Sequence, residues 1–248
     1  MTVSAFMAIA HRGASSYAPE NTFAAFDLAV RMGARHIELD VEATADGHIV
    51  VIHDDTVDRT TNGSGLVTGH TLQELQALDA GSWFGPDFAG ERIPMFDEVL
   101  SRYKGRVHIH TEIKGRSTYL SERTADLIRR HDMADHVTIT SFQKARLEEI
   151  RGYAPQLTAG WLLAEVSDAA IKQARALGLR QICPHANTVT LELVNRLHAE
   201  RFVVRAWGVA TEALMRQVVQ AGADGMTVNF PDKLIAYLSS QPPASDRG

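Results

Sequence analysis

Eight short apolar runs alternate with helical patterns along almost the whole chain, and this alternation constrains the fold more than any other feature. A strand followed by a helix and a further strand needs a crossover connection, and crossovers produce parallel pairing. Eight such units predict a closed (β/α)8 barrel, the TIM barrel architecture. The predicted strands are 8–11, 36–42, 107–114, 137–142, 158–163, 181–184, 202–209 and 225–229.

An open doubly wound sheet is the alternative architecture, but no glycine-rich dinucleotide loop follows the first predicted strand. Residues 48–53 read as an extra strand that returns beside the second one. A polar, glycine-rich insertion follows at 54–92, and connections of this length are usually functional. We expect a single domain over 1–248, with the insertion over the mouth of the barrel and a disordered tail at 241–248.

Composition and charge exclude several functional classes. The 248 residues are 45% hydrophobic, which is enough for one large core, and the net charge of −5 with no basic run argues against a nucleic-acid partner. No apolar stretch reaches the roughly 18 residues of a membrane span, and the N-terminus lacks the pattern of a signal peptide. The one cysteine, Cys183, allows no internal disulfide. We expect a cytoplasmic protein without stable membrane association.

Acidic side chains share one face of two predicted strands. Glu38 and Asp40 alternate with apolar residues on the second strand, and Glu112 and Lys114 do the same on the third. Two carboxylates about 5 Å apart repel by about 3 kcal/mol at an effective dielectric of about 20, so a shared proton, a cationic side chain or a metal must offset them. Hard oxygen donors suit Mg²⁺ or Ca²⁺. The alternatives are a solvated polar face or a carboxylate network closed by Lys114.

Several ordered motifs then carry a resemblance to a known family. The motifs are HRG at 11–13, PENT at 19–22, ELD at 38–40, HDD at 53–55, RTTNGSG at 59–65 and EIK at 112–114. Together they resemble the glycerophosphodiester phosphodiesterase family, in its cytoplasmic bacterial type, from His11 to about residue 224. The resemblance implies metal-dependent hydrolysis of small glycerophosphodiesters, such as glycerophosphocholine, to glycerol 3-phosphate and an alcohol.

The family's metal ligands and catalytic histidines have counterparts here. At the matching positions, Glu38, Asp40 and Glu112 would hold Mg²⁺ or Ca²⁺. His11 and His53 would form the general acid–base pair, since an imidazole titrates near neutral pH. The sequence does not decide which is the acid, and a histidine at a strand end is otherwise often a packing residue.

Three more residues would bind substrate. Arg12 would clamp phosphate oxygens, or else form a salt bridge to a carboxylate such as Glu20. Lys114 would add a charge beside the phosphate, or neutralise a neighbouring glutamate. Trp207 would pack on the glycerol, or be a buried core residue. We further expect Asn21 to cap the first helix.

The late chain departs from the family pattern. Gly208, Val209 and Ala210 follow Trp207 where the family usually has Thr-Val-Asn, and 228–231 read Val-Asn-Phe-Pro instead of Thr-Asp-x-Pro. We expect these changes to remove polar groups from the mouth without touching the metal ligands or the two histidines, and they leave the headgroup preference open. Two other functions remain as alternatives, a lysophospholipase D-type phosphodiesterase and a barrel that binds phosphodiesters without cleaving them. A homodimer is compatible with the sequence.

Overall fold

The computed structural model describes residues 6–241, and in this part of the chain nine strands form one closed sheet. Eight strands pair in parallel, and β1 closes the barrel by pairing with both β2 and β9. The predicted (β/α)8 barrel is therefore confirmed. The strands are β1 (Met7–His11), β2 (His36–Ala43), β3 (Ile49–Val51), β4 (His108–Ile113), β5 (Val137–Ser141), β6 (Thr158–Leu163), β7 (Gln181–Pro184), β8 (Val203–Val209) and β9 (Gly225–Val228).

Helices fill the connections between consecutive barrel strands, as the alternating pattern requires. They are α1 (Phe23–Arg31), α2 (Leu72–Ala77), α3 (Phe96–Tyr103), α4 (Leu120–Arg130), α5 (Lys144–Tyr153), α6 (Asp168–Ala176), α7 (Leu191–Ala199), α8 (Glu212–Gln220) and α9 (Pro231–Ser240). Within residues 6–241, no helix combines the length and the apolar character needed to cross a bilayer.

The first helix begins one residue later than predicted. Thr22 is its N-cap, and the Thr22 hydroxyl accepts a hydrogen bond from the Ala25 N–H. Asn21 instead has a left-handed backbone, with φ 57°, and its side chain donates to Asp40 Oδ2 at 3.0 Å. The prediction of an Asn21 cap is wrong because this side chain is bound to the second strand and cannot turn toward the helix.

The hairpin strand β3 pairs antiparallel with β2 and is shorter than its predicted range of 48–53. His53 therefore lies in the loop after β3. The insertion contains α2 and encloses a small apolar cluster separate from the main core. This cluster consists of Val50, Ile52, Val57, Val67, Leu75, Ala80 and Ile93. Of the predicted disordered tail, residues 242–248 lie outside the described part of the chain.

The two faces of the barrel strands differ in character. On β2, the alternating apolar residues Ile37, Leu39 and Val41 are fully buried in the core formed with the outer helices. Glu38 and Asp40 have the opposite orientation and are buried too. A buried polar barrel interior therefore lies inside an apolar outer shell.

Candidate active site

Three carboxylates meet where β2 and β4 end. The parallel register places Asp40 directly opposite Glu112, with Glu38 one inward position earlier on β2. One oxygen from each residue lies within 4.8 Å of the others, and all three side chains are buried. The pattern that the sequence shows on two separate strands thus becomes one cluster, because the strands pair in register.

Burial and mutual repulsion raise the pKa of two of these acids. The pKa of Glu38 rises to about 8 and that of Glu112 to about 7, in both cases because the charged form is desolvated and faces Asp40. Asp40 Oδ1 is buried and accepts no hydrogen bond within the described residues. Three hard oxygen donors, one of them without a hydrogen bond, fit a divalent cation such as Mg²⁺ or Ca²⁺.

Arg12 is fixed beside this cluster by three contacts. Its backbone N–H donates to Glu38 Oε2 at 3.1 Å, and its Nε lies 3.3 Å from Asp40 Oδ2. Its Nη1 donates to Glu20 Oε1 at 2.8 Å, so the salt bridge considered from the sequence is present. Arg12 also has a left-handed backbone, with φ 55°, which this contact set maintains at the first turn after β1.

Lys114 lies on the other side of the cluster, in the first position after β4. Its Nζ is 3.2 Å from Glu112 Oε1 and 3.8 Å from Asp40 Oδ1. The same Nζ donates to His53 Nε2 at 2.8 Å. Lys114 therefore neutralises acidic charge and at the same time contacts a histidine that the sequence singled out.

A carboxylate orients the ring of His53. His53 Nδ1 lies 2.5 Å from Asp54 Oδ1, so Nδ1 carries the proton and Nε2 presents its lone pair to the Lys114 ammonium. Arg59 donates to both oxygens of Asp54 and also forms a two-bond pair with Glu20. The hydrogen bonds from Arg59 lower the pKa of Asp54, which keeps that carboxylate charged. Burial lowers the pKa of His53 itself.

His11 has a neutral amide at Nδ1, where His53 has a carboxylate. Its Nδ1 lies 2.6 Å from the side-chain oxygen of Asn229, which follows β9, and its Nε2 lies 4.0 Å from Glu38 Oε2. Burial, and next the positive charge of Arg12, lower the pKa of His11 to about 4. His11 is therefore neutral at neutral pH, with its unprotonated Nε2 toward the carboxylates.

Trp207, on β8, belongs to an aromatic group with two side chains that follow other barrel strands. Its ring meets Phe142 and His185 edge to face, with centroids 4.7 and 4.6 Å away, and its Nε1 donates to the Leu163 carbonyl at 3.2 Å. Trp207 is half-buried, which is less than a core tryptophan would be, and Phe142 is 41% exposed. The structure therefore leaves an apolar surface at this side of the mouth.

The departure at Gly208 has a physical reason. Gly208 has φ +75°, and a Cβ at this position would lie 2.7 Å from His185 Nε2. A side chain here, such as the threonine usual in the family, would collide with the imidazole and strain the backbone.

Sequence reasoning missed several neighbours of the site. Asp54 and Arg59 both lie inside quoted motifs, so their proximity to His53 offered a signal. Asn229 lies in the late segment that was expected not to touch the histidines, and this expectation is wrong because β9 pairs with β1 and brings Asn229 to His11. His185 gave no signal in the sequence. The interior histidine His110 lies level with Glu38 on β4, but its hydrogen-bonding partner is His36, at 3.2 Å.

Comparisons with known proteins show the family to which the chain belongs. Residues 11–233 match the model of the glycerophosphoryl diester phosphodiesterase family. A glycerophosphodiester phosphodiesterase of Caldanaerobacter subterraneus subsp. tengcongensis is 40% identical over 92% of this chain and 96% of its own. One from Bacillus subtilis is 33% identical over 91% of this chain and 84% of its own.

Solved structures give the same result. A glycerophosphodiester phosphodiesterase from Agrobacterium tumefaciens superposes with a TM-score of 0.83 at 30% identity, covering 92% of this chain and 98% of that one. A phosphodiesterase from Oleispira antarctica, crystallised with the product sn-glycerol-3-phosphate, superposes with a TM-score of 0.86 at 29% identity, covering 94% and 96%. The barrel, the motifs and these matches all lead to the same assignment: the chain belongs to the glycerophosphoryl diester phosphodiesterase family.

Proposed function

We propose that this protein hydrolyses glycerophosphodiesters to glycerol 3-phosphate and an alcohol, with His11 and His53 as its acid–base pair. One observation supports these two histidines as the pair. Each histidine has its Nδ1 bound to an oxygen, of Asn229 or of Asp54, and each Nε2 faces a side chain of the carboxylate cluster or Lys114. Two imidazoles with their reactive nitrogens beside one acidic cluster match the needs of phosphodiester cleavage. The names of the relatives, and the product bound to the Oleispira enzyme, support the substrate class.

Glu38, Asp40 and Glu112 would hold the divalent cation, Mg²⁺ or Ca²⁺. When bound, the cation would supply positive charge to the phosphate oxygens. Arg12 and Lys114 would add two further cationic groups on either side of the cluster. Arg12 would hold the phosphate with its guanidinium, and Lys114 would exchange part of its contact with Glu112 for a phosphate oxygen.

The partners of the two histidines favour different roles. A carboxylate on Nδ1 stabilises an imidazolium, so His53 with Asp54 suits the general acid: in its protonated form, Nε2 would release Lys114 and give its proton to the leaving alcohol. His11 has a neutral amide partner and a pKa lowered to about 4, so it suits a base that starts unprotonated. We assign these roles accordingly.

Trp207 and Phe142 would form an apolar surface for the part of the substrate beyond the phosphate. The insertion at 54–92 would close over the mouth, since Arg59 already pairs with Glu20 in the loop after β1. We also propose a single domain over 1–248, a cytoplasmic location and the homodimer that the sequence allows. Cell fractionation and sedimentation would test the last two.

A lysophospholipase D-type activity is the second candidate. The insertion carries two exposed large apolar side chains, Leu66 at 56% and Trp83 at 40% exposure, which could contact an acyl chain. Such a contact would favour substrates that keep one fatty acid on the glycerol.

Two coupled assays, one for glycerol 3-phosphate and one for choline, separate these functions. The panel holds glycerophosphocholine, glycerophosphoethanolamine, glycerophosphoglycerol and lysophosphatidylcholine, each with and without chelator. We expect metal-dependent release of glycerol 3-phosphate from the first three. Choline release that is faster from lysophosphatidylcholine than from glycerophosphocholine would favour the second candidate. No turnover of any substrate with saturating Mg²⁺ or Ca²⁺ would refute both and leave a binding protein.

A further inference from the structure

A pocket of about 490 Å³ lies at the end of the barrel opposite to the carboxylate cluster. Its walls come from three consecutive connections, those that lead into β6, β7 and β8. The buried side chains of Leu157, Leu179 and Phe202 contribute its apolar part. Pockets of this size hold small ligands, and polar groups at their walls decide which ligand fits.

The charged residues of this pocket are almost all basic. Four arginines line it, and Glu200 is its one acidic residue, so the formal net charge of the pocket is +3. The whole chain, by contrast, carries a net charge of −5. A concentration of positive charge on an acidic protein favours an anionic ligand at this place. The arginines are Arg151, Arg175, Arg180 and Arg201.

Two of the arginines have structural partners. Arg151 donates from Nε to the Leu177 carbonyl at 3.0 Å and from Nη1 to the Leu157 carbonyl at 3.2 Å. It thereby ties the connection before β6 to the end of α6. Arg175 forms an ion pair with Glu200. These contacts fix the shape of the pocket and neutralise the carboxylate of Glu200, its one acidic residue.

The other two guanidinium groups have no such partners in the described part of the chain. Arg180 and Arg201 are exposed, and neither side chain forms a hydrogen bond or an ion pair with any residue between 6 and 241. Both line the same pocket. A planar guanidinium presents several donors in a fixed fork that matches the oxygens of a phosphate group, so two of them can bind one phosphate from two sides.

Arg201 also has a backbone conformation that is unfavourable for a residue other than glycine. It follows α7 with φ +65°, and its N–H and that of Phe202 bond back into the last turn of the helix. Gly33, Gly178 and Gly222 follow other helices with the same left-handed backbone. An arginine lacks the freedom of glycine there. A strained residue that places an unpaired charge in a pocket points to a ligand.

We propose that this pocket binds a small anion that carries a phosphate monoester or a diphosphate, held by Arg180 and Arg201. The site is separate from the hydrolytic centre, since the two lie at opposite ends of the parallel strands. The proposal therefore stands independently of the hydrolytic activity.

Amide chemical shifts of the ¹⁵N-labelled full chain can locate the binding. The probes are inorganic phosphate, pyrophosphate and glycerol 3-phosphate, each titrated separately. Amides of residues 178–180 and 200–202 report on the pocket, and those of 11–13 and 112–115 report on the hydrolytic centre. We expect pyrophosphate or glycerol 3-phosphate to shift the pocket amides saturably, with inorganic phosphate binding more weakly.

The variant Arg201→Gly separates the ligand role from a structural role. It removes the guanidinium and also relieves the left-handed strain, so Tm should stay equal or rise while pocket affinity falls about tenfold, as for loss of one charge-assisted hydrogen bond. Asp132→Gly is the matched control, because Asp132 follows α4 with φ 54° in the same kind of turn. It should raise Tm similarly and leave pocket affinity unchanged.

Two outcomes overturn the proposal. In the first, none of the three probes shifts the pocket amides below about 10 mM. In the second, the Arg201→Gly and Asp132→Gly proteins bind equally well. Should Arg201→Gly lower Tm, the variant Arg180→Ser decides: a tenfold loss supports the site, and full affinity refutes it.

Discussion

Replacing Asp54 by Asn tests the role assigned to His53. Asp54 Oδ1 lies 2.5 Å from His53 Nδ1, and the contact raises the pKa of the imidazole. An amide in this place keeps a hydrogen-bonding partner but removes the negative charge that stabilises the imidazolium. The protonated fraction of His53 at neutral pH should therefore fall, and with it the capacity to protonate a leaving alcohol.

The structure sets the size of the effect. A hydrogen bond to a charged group contributes about 1.5–3 kcal/mol, and the Asp54 side chain is 29% exposed, which favours the lower half of that range. About 1.5–2 kcal/mol corresponds to a loss of roughly 10- to 30-fold in kcat. The alkaline limb of the kcat profile should move down by about one pH unit, since one pKa unit equals about 1.4 kcal/mol.

Two substrates make the assay decisive. Glycerophosphocholine needs a proton on its leaving alcohol, whereas a nitrophenyl diester does not, so Asp54→Asn should slow only the first. Asp55→Asn is the matched control, because Asp55 is exposed and its side chain forms no hydrogen bond with the described residues. Equal losses on both substrates, or an unmoved alkaline limb, would refute the assignment of His53 as the acid.

Four further perturbations have defined outcomes. Exhaustive chelation should abolish activity and Mg²⁺ or Ca²⁺ should restore it in the coupled assay; full activity without metal would contradict the metal site. His11→Ala and His53→Ala should each lower kcat by about 10²- to 10⁴-fold, and the double variant should lose far less than the product; near-normal kcat in both would contradict the mechanism. Shortening 62–65 should change KM or substrate choice while the circular dichroism spectrum stays the same. Unchanged kinetics, or loss of the folded spectrum, would contradict a lid. The folded pKa of Glu38, about 8, exceeds its ordinary value of 4.5, so the native state binds more protons and stability of the metal-free protein should fall as pH rises from about 4.5 to 8. Thermal melts should show this fall, and both added cation and Glu38→Gln should reduce it; identical profiles would contradict the raised pKa.

The barrel could be predicted because its signal is local and repeated. Each strand and helix shows its own pattern, and closure follows from their number and order. The carboxylate cluster was predictable for a related reason. Glu38 and Asp40 share a face by alternation, and parallel pairing brings Glu112 level with Asp40. Spacing along two neighbouring strands thus determines the geometry of the cluster.

Contacts across the barrel could not be predicted in this way. His11 and its partner Asn229 are 218 residues apart, and they meet only because β9 closes the sheet against β1. Arg205 is an example from the interior: it is 1% exposed on β8, yet an arginine in an alternating strand looks the same whether that face meets water or the barrel axis. The periodicity of a strand reports two faces but not what covers them.

The departures from the family near the end of the chain become interpretable only as pairs. Gly208 alone looks like the loss of a polar group from the mouth. In the structure it provides the space that His185 occupies against Trp207, since a Cβ at 208 would lie 2.7 Å from His185 Nε2. Restoring threonine at 208 would therefore require His185 to move, and the aromatic group with Phe142 would change with it. The positions on β8 and after β7 are therefore coupled by packing, and we expect a change at 208 to act on substrate choice only together with a change at 185.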